Sequence, residues 1–272
     1  MSEWNAMTFE AKDNLLRVVR REAEGMFAMA DQPAAWERAT MPPGWEVRDV
    51  IAHLVDVTES YFVAFDSARN GTSVPDAYGV KGMAARLDEK AKEFRTQSQA
   101  DMMSRVRSDF EQMMSIEEGL TDKEWGELTV PHFYMGPLPA FFYPTFQLMD
   151  YGVHSWDIRQ GTGRAHGLAG DAADLLVPFM FILWSATSDI PADAPPCEIG
   201  IRVAGGHNAG TWRVNAGPDG ISYAPGDTGD LPATVEFDPG SFVLTAFGRG
   251  NSGTIRGDVS IAERYLNLFF RI

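Results

Sequence analysis

Residues 44–57, GWEVRDVIAHLVDV, place one histidine, His53, in an otherwise apolar helical pattern. The apolar positions recur every three to four residues, which predicts a helix with one buried face: Val50, Ile51, Leu54 and Val57. A histidine on such a face has two readings. It is either a hydrogen-bonded core residue or a metal ligand, and this stretch alone leaves both open.

A second stretch, QLMDYGVHSWDIRQ at residues 147–160, carries Asp150 and His154 four positions apart. On an α-helix this spacing stacks two side chains on one face, about 6 Å apart. The pair alone is compatible with an intrahelical carboxylate–imidazolium interaction. Two imidazoles and a carboxylate on apolar faces are costly to bury without a shared partner. We therefore predict that His53, Asp150 and His154 converge in a helix bundle as ligands of an open divalent-metal site.

Composition limits the kinds of partner. The chain has 272 residues, 44% of them hydrophobic and 22% charged, so it can bury a core in one large or two ordinary domains. A net charge of −15 opposes binding to nucleic acid or to an anionic membrane, so neither is an expected partner.

Cysteine usage and the apolar runs indicate a cytoplasmic protein. Cys197 is the single cysteine, which excludes an intrachain disulfide and fits a reducing compartment. Residues 1–14 include acidic side chains and no long apolar run, unlike a signal peptide. The run LLVPFMFILW, residues 175–184, is about half as long as a membrane span and predicts a buried helix.

The periodicity changes once along the chain. Helical spacing predicts helices at residues 9–30, 45–68, 81–95, 97–118 and 171–188. From Cys197 onward, CEIGIRVAG, GTWRVNAG, GISYAPG and LPATVEFDPG alternate as short strands do, and we expect them to pair antiparallel. Short helices follow at 239–247 and 260–269. The expected fold is α+β, with a helical bundle at 1–190 and a smaller α/β domain at 191–272.

An aromatic segment precedes the helix of Asp150, and we expect it to form one wall of the metal site: Phe133, Tyr134, Phe141, Phe142, Tyr143 and Phe146. His132 lies just before it, as a fourth ligand, a substrate contact or, most simply, a surface residue. His166 and His207 lie in glycine-rich turns, where we expect no chemical role.

These motifs resemble a known family. GWEVRDVIAHL resembles a signature of the DinB-like, mycothiol-dependent maleylpyruvate isomerase family, and DYGVHSWDI resembles that family's Glu-x-x-x-His-x-x-Asp segment. The C-terminal segments TWRV, ATVEFDPGSFVLTAFGRG and IRGDVSIAERYLNLF are similar to its sterol carrier protein-like domain. The resemblance implies a DinB-like four-helix bundle followed by a sterol carrier protein-like α/β domain.

The resemblance also implies a divalent metal, usually zinc, held by His53, Asp150 and His154. The family usually has glutamate at the position of Asp150, and the shorter acid would shift the metal, hold it through water or bind it more weakly. Gln147 shares that helix face but is a poor substitute ligand. Asp157 is expected either to orient a ligand histidine or to form a helix-end or interdomain hydrogen bond.

Mycothiol, the low-molecular-weight thiol of actinobacteria, is the cosubstrate that the resemblance implies. A zinc-held thiol ionises at neutral pH, where a free thiol of pKa about 8.5 is mostly protonated. Arg249, in FGRG, matches an arginine of the family and is the predicted catalytic and cofactor-binding clamp on a carboxylate. Arg256, in IRGD, is the alternative cofactor contact. A surface arginine in a glycine turn is the simpler reading of each.

Three functions follow for a monomer or homodimer. The first is a metal- and mycothiol-dependent cis–trans isomerase or S-transferase acting on a small electrophilic or unsaturated substrate. The second is a thiol-independent isomerase, cyclase or lyase of natural-product biosynthesis, with the metal as Lewis acid. The third is a non-catalytic protein that sequesters a small molecule. The aromatic segment favours a substrate larger and less polar than maleylpyruvate.

Overall fold

Helices form the first part of the chain and a mixed sheet dominates the second, as the change of periodicity predicted. The computed structural model describes residues 3–163 and 166–270. It divides into unit 1, Met1–Leu168, and unit 2, Ala169–Ile272. The α+β fold class is therefore confirmed. The division falls before the expected boundary near residue 190, because the last long helix belongs to unit 2.

Unit 1 is built on long helices that pack in pairs, α1 on α6 and α2 on α4. Between them lie shorter helices and an antiparallel hairpin. In chain order the elements are α1 (Lys12–Ala30), α2 (Val47–Asn70), α3 (Met83–Glu93), α4 (Gln99–Glu118), α5 (Asp122–Glu127), β1 (Thr129–His132), β2 (Gly136–Pro139) and α6 (Phe142–Gly161).

The start of α2 is fixed by local chemistry. The backbone N–H of Glu46 donates to Asp49 Oδ2 at 2.8 Å. This capping-box contact provides an acceptor for an N–H group that has no acceptor within the helix. Arg95 donates to both carboxylate oxygens of Asp49, at 2.8 and 2.6 Å. The helix ends at Asn70, and Gly71, which follows it, has a φ of +73° that suits a left-handed C-cap.

Helix α6 begins at Phe142, five residues before the first residue of the stretch that predicted it. Part of the aromatic segment is therefore helical, and its earlier part forms the β1–β2 hairpin. Pro144 does not prevent this, because it lies in the first turn, where its missing N–H has no intrahelical acceptor.

Unit 2 combines a five-stranded sheet of order β5-β4-β3-β6-β7 with three helices among its described residues. Its elements are α7 (Gly170–Thr187), β3 (Cys197–Val203), β4 (Gly210–Gly217), β5 (Gly220–Pro225), β6 (Ala233–Phe237), α8 (Pro239–Ala246), β7 (Thr254–Gly257) and α9 (Val259–Leu266).

One strand pairing differs from the expectation. Strands β3, β4 and β5 pair antiparallel as expected, but β6 pairs with β3 in parallel. After β5 the chain crosses to the free edge of β3, a connection that alternation of side chains does not encode. Strand β7, which includes Arg256, then pairs antiparallel with β6 and was not predicted as a strand.

Helix α7 contains the apolar run that predicted a buried helix. By length and composition it could cross a membrane, but 67% of it is buried within the protein. Phe181 and Trp184 each lie 5.1 Å from the ring of Phe242 on α8. These contacts make α7 part of the core of unit 2.

Candidate metal centre

The three predicted ligands meet in the interior of unit 1. Their ligand atoms all lie within 4.8 Å of one another, and Nε2 of His53 is 3.7 Å from Oδ1 of Asp150. The two imidazole rings lie 5.1 Å apart at 82°. His53, Asp150 and His154 are 5%, 8% and 5% exposed. Within residues 3–163 and 166–270, this is the one such group of three or more potential ligands.

Two antiparallel helices bring these residues together. His53 of α2 lies beside His154 of α6, and Tyr61, two turns further along α2, lies 6.5 Å from Phe146, two turns earlier on α6. Asp150 lies one turn from His154 on the same face of α6. A site of this kind is therefore fixed by regular helix geometry rather than by loops.

Asp157 orients His154. Oδ2 of Asp157 lies 2.9 Å from Nδ1 of His154, and both side chains are buried. Burial lowers the pKa of His154, while the hydrogen bond to Asp157 acts in the opposite direction. A neutral imidazole that donates its Nδ1–H to this carboxylate presents the Nε2 lone pair, as a ligand histidine must.

Trp45 covers the two histidines. Its ring stacks on that of His154 at 6.0 Å and lies 5.6 Å from that of His53. Its indole N–H donates to Oδ1 of Asp88 at 2.8 Å, which fixes the ring. The sequence did not lead us to predict a role for Trp45. Its position eight residues before His53, in the same motif, could have indicated that it lies near the site.

The donor set fits a divalent metal. Four-coordinate zinc with ligands near 2.1 Å places neighbouring ligand atoms about 3.4 Å apart, close to the His53–Asp150 separation of 3.7 Å. The other ring nitrogen of His53, Nδ1, is buried with no hydrogen-bond partner among the described residues. Two imidazoles and one carboxylate are the donors that open zinc sites use.

His132 is not one of the converging ligands, and it is not a simple surface residue either. Its ring lies among Tyr61, Tyr143 and Phe146, at 6.1, 6.2 and 5.1 Å. Burial lowers the pKa of its imidazole to about 4, although the negative charge of Asp150 has a smaller effect that raises it. The backbone N–H groups of Tyr134 and Met135 donate to its Nδ1, at 3.3 and 3.2 Å.

Gln147 lies on the same face of α6 as Asp150 and His154, as its spacing predicted. It is 2% exposed, and neither its Oε1 nor its Nε2 has a hydrogen-bond partner among the described residues. A buried amide with no partner is rare in folded proteins and calls for an explanation.

The remaining predicted positions lie elsewhere. Arg249 follows α8, its guanidinium 5.0 Å from the centre of the Phe247 ring. Arg256 is 67% exposed, and its Nε lies 2.7 Å from Oε2 of Glu236. Both belong to unit 2, and a ligand role for either stays a prediction.

The two other histidines take part in turn structure. His166 accepts the indole N–H of Trp156 on its carbonyl oxygen at 3.1 Å. Asp174 lies 3.0 Å from Nδ1 of His207 and also accepts the backbone N–H of that residue. Cys197 is buried at the start of β3, as expected of a packing residue.

The end of α6 is locked to the segment before α2. The backbone N–H of Met41 donates to the carbonyl of Asp157 at 3.0 Å. A Cβ atom on Gly161 would overlap the carbonyl oxygen of Ala39 and lie 2.7 Å from Cα of Thr40. Only glycine permits this approach, which holds α6 against the segment that leads to Trp45.

Comparison with known proteins agrees with this architecture. The sequence profile described as mycothiol maleylpyruvate isomerase N-terminal domain matches residues 16–159, a range that includes all three converging residues. A crystal structure of the mycothiol-dependent maleylpyruvate isomerase superposes with a TM-score of 0.61 at 14% identity, covering 97% of this chain and 99% of that one. A histidine-to-alanine mutant of that enzyme gives 0.62 at 13% identity with the same coverage. At these identities the likeness establishes the fold. No curated protein matches the sequence significantly.

Proposed function

Because the chain belongs to the mycothiol maleylpyruvate isomerase family, we propose that it is a metal-dependent enzyme that uses mycothiol to isomerise a small unsaturated substrate. The observation that carries the proposal is the convergence of His53, Asp150 and His154 within 4.8 Å in the buried interior of unit 1. Zinc is the metal that best suits two nitrogen donors and one oxygen donor.

A bound divalent cation with a vacant position would lower the pKa of a coordinated thiol from about 8.5, so that the thiolate predominates at neutral pH. Two neutral imidazoles and one carboxylate leave one unit of positive charge to attract that thiolate. Asp157 keeps His154 in the tautomer that offers Nε2. Trp45 covers both imidazoles and restricts the access of water.

The chemistry requires no nucleophile from the protein. The substrate double bond gains a carbon–sulfur bond at one carbon and becomes a single bond, about which the substrate rotates. The double bond returns when the carbon–sulfur bond breaks and the thiolate leaves. If the thiolate stays and the substrate takes a proton from water at the carbon that gained the electron pair, the same first step gives S-transfer. The burial of Cys197 is consistent with a reaction that does not use it.

Aspartate at position 150 supports the same ligand role as the family's glutamate. Its Oδ1 already lies 3.7 Å from Nε2 of His53, so the shorter side chain reaches the site. Its place one turn from His154 gives both residues one helix face.

Unit 2 is proposed to be the sterol carrier protein-like domain, with Arg249 as the clamp on a substrate or thiol carboxylate. Arg249 is preferred because it matches an arginine of the family, and Arg256, which pairs with Glu236, is the alternative. A planar guanidinium can donate two parallel hydrogen bonds to a carboxylate.

Metal analysis and turnover measured together test the proposal. We expect about one equivalent of a transition metal in purified protein, and turnover of maleylpyruvate only when mycothiol is present. His53→Ala should lose both, whereas His207→Ala, which removes a half-exposed imidazole in unit 2, should lose neither. Undiminished turnover without thiol would indicate the Lewis-acid reaction instead. Protein without metal or turnover, and unchanged by His53→Ala, would indicate sequestration.

A further inference from the structure

The side-chain amide of Gln147 is buried, where it needs hydrogen-bond partners, and it has none among the described residues. Helix geometry puts Gln147, Asp150 and His154 within about 60° around the axis of α6. The amide lies about one turn from Asp150, buried and without a hydrogen bond among the described residues. Leaving a buried amide unsatisfied destabilises the fold, so this side chain is better explained by a bound molecule than by packing.

His132 presents a hydrogen-bond donor near the same place. Two backbone N–H groups of the β1–β2 turn donate to Nδ1, so a neutral ring must carry its proton on Nε2. Burial lowers the pKa of the ring to about 4, so the imidazole is neutral at physiological pH. The described residues provide no acceptor for Nε2–H.

The two groups lie on the same side of the metal ligands. The ring of His132 is 5.1 Å from that of Phe146, which immediately precedes Gln147. Phe146 in turn is four residues, or about 6 Å along the helix, from Asp150. His132 therefore lies beside Tyr61, Tyr143 and Phe146, and Gln147 lies about one helical turn from Asp150 on the helix that carries Phe146.

Their charge selects the chemical group that they can bind. Both donors are neutral, and the nearest charged side chain of the candidate centre, Asp150, is an acid. Neither donor carries a positive charge to pair with an anionic group, and the positive charge of a loaded centre would lie at the metal instead. A carbonyl oxygen accepts hydrogen bonds without carrying a full charge, and it suits the aromatic surroundings of His132.

We propose that Gln147 and His132 bind the carbonyl oxygen of an α,β-unsaturated ketone substrate, with Gln147 Nε2–H and His132 Nε2–H as the two donors. This inference rests on the proposed function and adds two substrate-binding residues to it. When sulfur bonds to the β-carbon, the π electron pair moves towards the carbonyl and its oxygen becomes an enolate oxygen. The two donors stabilise that oxygen, and the pair returns when the carbon–sulfur bond breaks, so no proton is transferred.

The first experiment uses a probe and no thiol. The cis isomer of 4-phenyl-3-buten-2-one, labelled with carbon-13 at the carbonyl, is bound to the metal-loaded protein and its carbonyl stretch is recorded by infrared difference spectroscopy. We expect a lower frequency on the wild type than in an apolar solvent, and loss of that shift in the double variant Gln147→Leu/His132→Phe. An unchanged shift in the double variant, or no binding to the wild type, overturns the inference.

The second experiment separates this inference from the proposed function. With mycothiol and the same enone, each single variant should lower kcat/KM about 100-fold, the effect typical of losing one donor to a developing oxyanion. Metal content and mycothiol affinity should stay unchanged. Variants with full kcat/KM overturn the inference while leaving the function intact. With maleylpyruvate as substrate, a wild type without thiol-dependent turnover overturns the function, and the infrared shift still decides the inference.

Ser155→Ala is the matched control. Its hydroxyl is also buried and unpartnered on α6, but helix geometry places it about 80° from Gln147 around the axis. Its removal should change neither the infrared shift nor the kinetics. A loss as large as that of Gln147→Leu would mean that α6 responds to any substitution, which would contradict the assignment.

Discussion

Nδ1 of His154 lies 2.9 Å from Oδ2 of Asp157, three residues further along α6, and both side chains are buried. The contact fixes the imidazole in one tautomer and one orientation. A carboxylate in this position makes the ring a better donor to a metal than an unsupported histidine.

Asp157→Asn should therefore weaken metal binding without removing a ligand. The amide is a poorer acceptor and can present an N–H to the ring, which favours the wrong tautomer. We expect metal affinity to fall about 10- to 100-fold, measured by competition with a chelator. Glu127→Gln, at an exposed carboxylate of α5, should not change it. Unchanged affinity in Asp157→Asn would argue for a purely structural contact.

The role of Asp150 as a metal ligand can be tested with two variants, one that changes the charge of the side chain and one that changes its length. Asp150→Asn keeps the size but removes the negative charge, and we expect at least about a 100-fold loss of metal affinity, because the site then lacks its anionic ligand. Asp150→Glu keeps the charge and should retain about one equivalent of metal. Elemental analysis after dialysis measures both. Full metal content in Asp150→Asn would exclude this residue as a ligand.

Gln147→Leu should make the protein more stable. Its buried amide has no partner among the described residues, so an apolar side chain of similar size removes a desolvation cost. The expected gain in the free energy of unfolding is about 1 to 3 kcal/mol, measured by denaturant titration without ligand. Destabilisation would show that a hydrogen bond satisfies the amide in solution.

Glu117→Gln should change how stability depends on pH. Glu117 on α4 is fully buried, both its oxygens are unpartnered, and burial raises its pKa well above the usual 4.5. The folded state then binds more protons than the unfolded state above about pH 4.5, so stability contributed by this group falls as pH rises through that range.

In Glu117→Gln this pH-dependent loss of stability should disappear. The free energy of unfolding of the variant should therefore exceed that of the wild type by more at pH 8 than at pH 5. Urea unfolding at the two pH values measures the difference. Glu111→Gln, at an exposed carboxylate of the same helix, serves as the control and should keep the wild-type profile. Equal stability differences at both pH values would contradict a raised pKa for Glu117.

Much of the candidate centre was predictable because it depends on helix periodicity. The spacing of Asp150 and His154 and the apolar face around His53 made convergence one of two readings, and the resemblance of both motifs to one family favoured it. The tautomer of His132 was not predictable, since it depends on two backbone N–H groups of a tight turn. The missing partner of Gln147 is likewise a property of packing, which a single sequence does not record.

The fold differed from expectation where long-range pairing decides the outcome. Alternating side chains predicted β6, but its parallel register beside β3 depends on a crossover of the sheet. The division at Leu168–Ala169 differed because α7 looks like the helices before it, whereas its aromatic residues contact α8.

The close approach at Gly161 implies that loss of function can arise far from the chemistry. Gly161 lies seven residues, about 10 Å along the axis, beyond His154. A methyl group there would push α6 away from residues 39–40, and the displacement would reach Trp45 and the imidazole that it covers. Gly161→Ala would then mimic a ligand mutation in an activity screen, although position 161 supplies no atom to the reaction.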